Sequence, residues 1–259
     1  MGQVDLNFKP TVPVFDADVA LGRRHDRRVA VDTADGTLEA MDKAGVDRAH
    51  VYAPHAAGYD SSEGNELLME TIAGHPRFVP QFAANPSSDD LDEFKASFKA
   101  AGARSIRIVP GTHNYPFLDW VVKPWMEWMA QDGIPLWLPV TYDFLKGDGA
   151  IDPSEIYDTM SANPGVTAVL AEVHYRQTGW ALPLMKSLPN LMIEVSRLVN
   201  TDGIPRFFRA VGERRVMYGS RFPDAPMAPN LYYLHRCGLS DENLADICAG
   251  NLDRLLGTG

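Results

Sequence analysis

Eight short, β-rich apolar runs punctuate this 259-residue chain, and longer stretches with helical periodicity lie between them. The runs predict strands at Val12–Phe15, Arg48–Ala53, Phe78–Phe82, Ser105–Val109, Pro135–Val140, Thr167–Glu172, Leu191–Val195 and Val216–Gly219. Nearly continuous apolar strands are covered on both faces, which is the habit of parallel sheets. The intervening Glu63–Ala73, Leu91–Ala101, Val122–Ala130, Pro153–Ala162 and Ile204–Val211 place apolar residues on one stripe each. Asp152 before Pro153 makes a favourable helix start. Eight strand–helix units predict an α/β fold, a single slightly distorted (β/α)8 TIM barrel over residues 1–259. The competing architecture is a doubly wound open sheet. No repeat or Gly/Ser-rich linker divides the chain.

Composition narrows the function. With 24 Lys+Arg against 34 Asp+Glu the net charge is −10, so a phosphate backbone is repelled and nucleic-acid binding is not expected. No apolar run reaches the ~18 residues that span a bilayer, and the N-terminal stretch lacks the basic and apolar regions of a signal peptide. A cytoplasmic, membrane-free protein is expected. Cys237 and Cys248 are too few for a disulfide framework and read as core residues. Trp120, Trp125 and Trp128 read as packing residues, and His55 and His113 as solvated loop histidines.

In a barrel the chemistry stands at the C-terminal ends of the strands. Those ends carry Asp16 and Asp18, then Arg107, Tyr142, Glu172 with His174 and Arg176, Glu194 with Arg197, and Arg221 with Asp224. Unpaired buried charge is costly, so so many ionisable residues should pair or face one solvated cleft. Asp16 and Asp18 are two apart, as are Glu172 and His174, so regular strands point each pair the same way.

Gly64-Asn65-Glu66 through His75-Pro76-Arg77-Phe78, Gly102 through Pro110, Asp132-Gly133-Ile134-Pro135, Tyr218-Gly219-Ser220-Arg221-Phe222-Pro223 and Gly250-Asn251-Leu252-Asp253-Arg254-Leu255 follow one another in an order that resembles the amidohydrolase superfamily. The resemblance is to its amidohydrolase-2 branch, with aromatic-acid decarboxylases and lactonases, and covers nearly the whole chain. It implies a (β/α)8 barrel, commonly a homodimer, and a metal site that this chain has altered. The family's His-x-His is Asp16 and Asp18 here. Its strand-five His falls at Pro139 or Val140, its strand-six His at Glu172 or, with a slip, His174. Its strand-eight Asp is Arg221.

Arginine neither ligates metal nor accepts a proton. Arg221 is therefore expected to replace the cation and pair with Asp16 or Asp18, leaving no metal and no other cofactor. The leading expectation is a metal-independent hydrolase acting on a small carboxylated lactone or related acid. Asp16, Asp18, Glu172, His174 and Arg221 would carry the chemistry, and Arg107, Tyr142, Arg176 and Arg197 would bind the anionic substrate. The alternatives are a non-catalytic barrel that binds a ligand or partner, and a metal-dependent hydrolase or decarboxylase with a divalent ion on Asp16, Asp18 and Glu172.

Overall fold

A computed structural model describes residues 8–140, 151–198 and 202–259. Parallel strands β1 (Phe15–Ala20), β2 (Arg48–Tyr52) and β3 (Phe78–Pro80) form one run. Strands β4 (Phe82–Ala84), β5 (Ile106–Ile108), β6 (Leu136–Pro139), β7 (Ala168–Ala171), β8 (Leu191–Glu194) and β9 (Val216–Met217) form another. Two seams close them into a (β/α)8 barrel. At the first, β3 and β4 flank Gln81 as a single stave, with Gln81 N–H donating to Val51 C=O at 2.8 Å and Phe82 N–H to Ser105 C=O at 3.2 Å. At the second, the chain after β9 runs alongside β1: Ala17 N–H reaches Tyr218 C=O at 3.1 Å and Ala20 N–H reaches Phe222 C=O at 2.8 Å.

The barrel interior is packed by Phe15, Ala17, Trp137, Val169, Ala171, Met192 and Met217, as expected of a filled barrel. Trp137 donates its indole N–H to Ala17 C=O at 3.1 Å, which satisfies the one polar atom it buries. Helices surround the strands: α1 (Ala34–Ala44), α2 (Pro54–Gly58), α3 (Ser61–Ile72), α4 (Leu91–Ala101), α5 (Pro110–His113), α6 (Asp119–Asp132), α7 (Pro153–Ala162), α8 (Thr178–Ser187) and α9 (Gly203–Val211), followed by three short ones ending at Leu256. Asp152 caps α7 through Ser154 N–H at 2.8 Å, with Pro153 in the first turn.

Two readings need correction. The first strand starts at Phe15 rather than ending there, because Pro13 has no N–H to give a ladder and because Asp16 and Asp18, polar as they are, find buried partners. Trp125 and Trp128 are core residues, but Trp120 is 75% exposed in the first turn of α6. Cys248 is buried, Cys237 partly so, and neither forms a disulfide. Among the described residues no helix is long and apolar enough to cross a membrane.

Candidate active site at the barrel mouth

β1 carries an irregularity between Asp16 and Val19, which breaks the parity that would send Asp16 and Asp18 the same way. Asp16 turns to the seam: its Oδ1 accepts the N–H of Asp18 at 3.1 Å and of Ser220 at 2.9 Å. Burial pushes its carboxyl up to about 7. Asp18 turns toward β5, where Arg107 donates Nη1–H at 3.0 Å and Nη2–H at 2.8 Å, both to Oδ1. Burial pushes Asp18 upward and Arg107 opposes it; burial likewise works against the Arg107 charge, but Asp18 and its neighbours more than offset this.

Arg107 is itself held in place. Its Nη1 also donates to Gln81 Oε1 at 3.0 Å, and its guanidinium carbon lies 3.8 Å from the centre of the Tyr52 ring. Gln81 Nε2 reaches Ser105 Oγ at 3.2 Å, and Ser105 Oγ meets His50 Nε2 at 2.7 Å. Burial and the Arg107 charge push His50 down to about 3, so this buried chain is neutral at its far end.

At the end of β7, Glu172 adopts a left-handed backbone, φ 57°. Its N–H donates to Glu194 Oε1, and Glu194 also accepts Ser196 N–H at 2.7 Å and Ser196 Oγ–H at 2.8 Å. Burial raises Glu194 to about 7. A Cβ on Gly219 would stand 2.3 Å from Glu194 Oε2 and 3.3 Å from Asp18 Cβ, so only glycine admits both carboxylate-bearing side chains here. The kink turns the Glu172 carboxylate among three guanidinia: Arg107 at 3.7 Å, Arg221 at 3.8 Å and Arg197 at 3.9 Å.

The same kink separates His174 from Glu172. His174 starts a short 3₁₀ turn and accepts Arg176 N–H at Nδ1, 3.3 Å away; neither His174 nor Arg176 lines the cavity described below. Their expected places in the site are corrected on that ground, because equal facing needs a regular strand and β7 stops at Ala171. Tyr142 lies outside the described residues.

Arg221 also has a left-handed backbone, φ 61°. Its N–H donates to Asp18 C=O at 2.9 Å, but its side chain pairs elsewhere: with Glu172, and with Asp224 at 3.6 Å. The expected pair with Asp16 or Asp18 is thus corrected. Arg107 reaches across the barrel from β5 and takes Asp18 Oδ1 instead.

A cavity of about 450 Å³ opens above these groups. Arg24, Arg27, Arg107, Arg197 and Arg221 line it against Asp26, Glu172 and Asp224, with Tyr52, Val109 and Pro139 as apolar wall. Of the residues expected in the site, Glu172, Arg107, Arg197 and Arg221 meet there. Asp18 lies under Arg107, and Asp16 lies at the seam. The cavity is locally cationic in a chain of net charge −10. Gln81 carries no signal in the sequence, Glu194 stands there only as one strand-end charge among others, and no site role was expected of Arg24, Arg27 or Asp224. The signal for the last three was the charged run Arg23–Arg28 directly after β1 and the Asp224 that follows Arg221 by three residues.

Arg24 and Arg27 are clamped on Asp224, at 3.2 and 2.5 Å. Arg197 and Arg221 are not so clamped. Their ion-pair distances exceed hydrogen-bond range, and Arg221 Nε is a buried donor with no partner among the described residues. Two guanidinia therefore face the cavity with donors to spare.

For a divalent cation the donor set is poor. Arg107 takes Asp18 Oδ1, and two backbone N–H groups take Asp16 Oδ1. Asp16 Oδ2 and Asp18 Oδ2 are buried without partners. Among the described residues no group of three or more His, Cys, Asp or Glu is arranged to hold a metal. A double charge ~4 Å from the Arg107 guanidinium costs on the order of 8 kcal/mol at an effective dielectric of about 20.

Fold and mouth define a (β/α)8 protein with a cationic cavity at the C-terminal ends of its strands. The chain belongs to the amidohydrolase family, the amidohydrolase-2 type, whose model matches residues 11–258. Among curated proteins nothing matches. Solved structures share the fold at low identity. An uncharacterised TIM-barrel protein from Bordetella bronchiseptica is 17% identical with TM-score 0.74, over 96% of this chain and 99% of that one. The 5-carboxyvanillate decarboxylase LigW from Sphingomonas paucimobilis is 16% identical with TM-score 0.75, over 95% and 99%. A dihydroxybenzoic acid decarboxylase from Polaromonas sp. JS666, solved with manganese and 2-nitroresorcinol, is 12% identical with TM-score 0.77, over 95% and 97%.

Proposed function

We propose that this protein is a metal-independent hydrolase of the amidohydrolase family, and that its cavity takes a small carboxylated cyclic ester or a related acid. The observation that carries the reading is the pair Arg197 and Arg221, whose guanidinium donors face the cavity unfilled. A planar carboxylate matches such donors two at a time. The Arg107–Asp18 pair supports metal independence, since it sets a fixed positive charge against the carboxylate a divalent ion would share. An activated ester needs less electrophilic help than an amide, and guanidinium donors supply charge stabilisation to its oxyanion.

A second reading, a barrel that binds an anion without turning it over, is favoured by one observation. Each of the three carboxylates facing the cavity, Asp26, Glu172 and Asp224, is engaged by an arginine. Turnover distinguishes the two. Chelator-treated protein should open members of a panel of carboxylated lactones and activated esters, at a rate that manganese or zinc does not raise. Binding of the panel with no turnover favours the second reading, and turnover only after metal is added rejects metal independence.

A further inference from the structure

A chain of hydrogen-bonded titratable groups ends at the rim of the cavity. His25 lies in the loop after β1 and lines the cavity. Its Nε2 lies 2.7 Å from Nδ1 of His55 on α2. His55 Nε2 lies 3.2 Å from Glu63 Oε2 in the first turn of α3. The ring of Tyr59 stacks on His25 at 5.5 Å and packs on His55 at 5.0 Å, which fixes both planes. The order of donors follows. Glu63 as a carboxylate only accepts, so His55 carries its proton on Nε2 and leaves Nδ1 to accept. His25 must then donate from Nε2, which leaves its Nδ1 as a lone pair with no protein partner among the described residues. Of the cavity carboxylates, Asp26 and Asp224 accept arginine hydrogen bonds, and Glu172 stands among three guanidinia at 3.7 to 3.9 Å.

We infer that His25 takes the proton of the attacking water in this site, with His55 and Glu63 as positioning residues that set its tautomer. The inference rests on the hydrolytic reading above. Water adds to the ester carbonyl carbon and gives one proton to His25 Nδ1. The carbon–oxygen bond to the leaving group then breaks, and the same proton returns to the departing oxygen. The charged groups that share hollows with His25 on its own loop are Arg23, Arg24, Asp26, Arg27, Arg28 and Asp32, and Asp224 comes from the loop after β9. Arg24 and Arg27 oppose a new positive charge, and Asp26 and Asp224 are already spent on them. Glu63 is the carboxylate hydrogen-bonded to this pair of rings, through His55.

Mono-4-nitrophenyl succinate, an activated ester with one carboxylate, is the probe. Wild type should release 4-nitrophenol with kcat/KM governed by one basic group. His25→Asn should lower kcat by ~100-fold with KM little changed. Glu63→Gln should lower kcat at constant KM, because His55 loses the acceptor that sets its tautomer, and Glu63→Asp should restore part of the rate. Full kcat in His25→Asn or in Glu63→Gln, or a rate that Glu63→Asp does not restore above that of Glu63→Gln, overturns the inference. Failure of the site reading looks different: KM then stays unchanged in Arg197→Gln and Arg221→Gln. A wild type that leaves this ester intact counts against hydrolysis, and imidazole ¹⁵N spectra then decide the relay. Protonated Nε2 on both histidines in wild type, with that tautomer lost from His55 in Glu63→Gln, supports it; the opposite tautomer, or one that Glu63→Gln leaves unchanged, overturns it.

Discussion

Both terminal nitrogens of Arg107 converge on a single oxygen of Asp18, at 3.0 and 2.8 Å, inside a barrel that gives neither residue more than 1% exposure. A buried ion pair gains little over a well-packed apolar pair, yet breaking it strands a charge. Arg107→Met should therefore cost ~3–5 kcal/mol in chemical denaturation, moderated if Asp18 takes up a proton. Asp18→Asn in the Arg107→Met background should recover part of that loss. Additive losses in the double-mutant cycle would show that the two residues do not act as a pair.

Gly219 stands where Asp18 and Glu194 come together. Gly219→Ala places a methyl against the Glu194 carboxylate and should cost roughly 1–3 kcal/mol through overpacking. It should also disturb the Glu172 N–H that Glu194 accepts, and so loosen the turn aiming Glu172 at the arginines. Thermal unfolding indistinguishable from wild type would rule out the close approach.

Asp16 ties stability to pH. Its folded value near 7 lies above the ordinary 3.8, so between these limits the folded state holds a proton that the unfolded state releases. Stability from this group is complete at low pH and is lost as pH rises toward 7. Glu194 acts in the same direction, and His50, pushed down to about 3, acts in the opposite one. The clean readout is the stability difference between wild type and Asp16→Asn, measured from pH 4 to 7.5. It should shift against the wild type as pH rises, by at most about 4 kcal/mol. A difference independent of pH would mean that Asp16 titrates normally.

The barrel was legible in the sequence because its signal is repeated: eight apolar runs at strand length, each followed by a helical stripe. The family order of motifs agreed with it. The exception, β1, shows the limit of that signal, since a strand through Asp16 and Asp18 looks like a loop until their buried partners are known. At the mouth, single residues decide, and backbone irregularities override parity. The left-handed turn at Glu172 sends His174 away from the cavity, and the irregularity in β1 hands Asp18 to Arg107 instead of Arg221. Neither is encoded in residue spacing. His55 read as a plain loop histidine because its partners, His25 and Glu63, lie on two other segments and meet it only in three dimensions.

The central claim is that guanidinium groups, not a metal, hold a carboxylated ligand in this cavity. Calorimetric titration of chelator-treated wild type with succinate tests it most directly, alongside Arg197→Gln and Arg221→Gln. The account predicts one site that forms without added metal, weakens with salt, and loses roughly tenfold to a hundredfold in affinity in either variant. Binding that appears only when manganese or zinc is supplied, or that both variants retain in full, would contradict it.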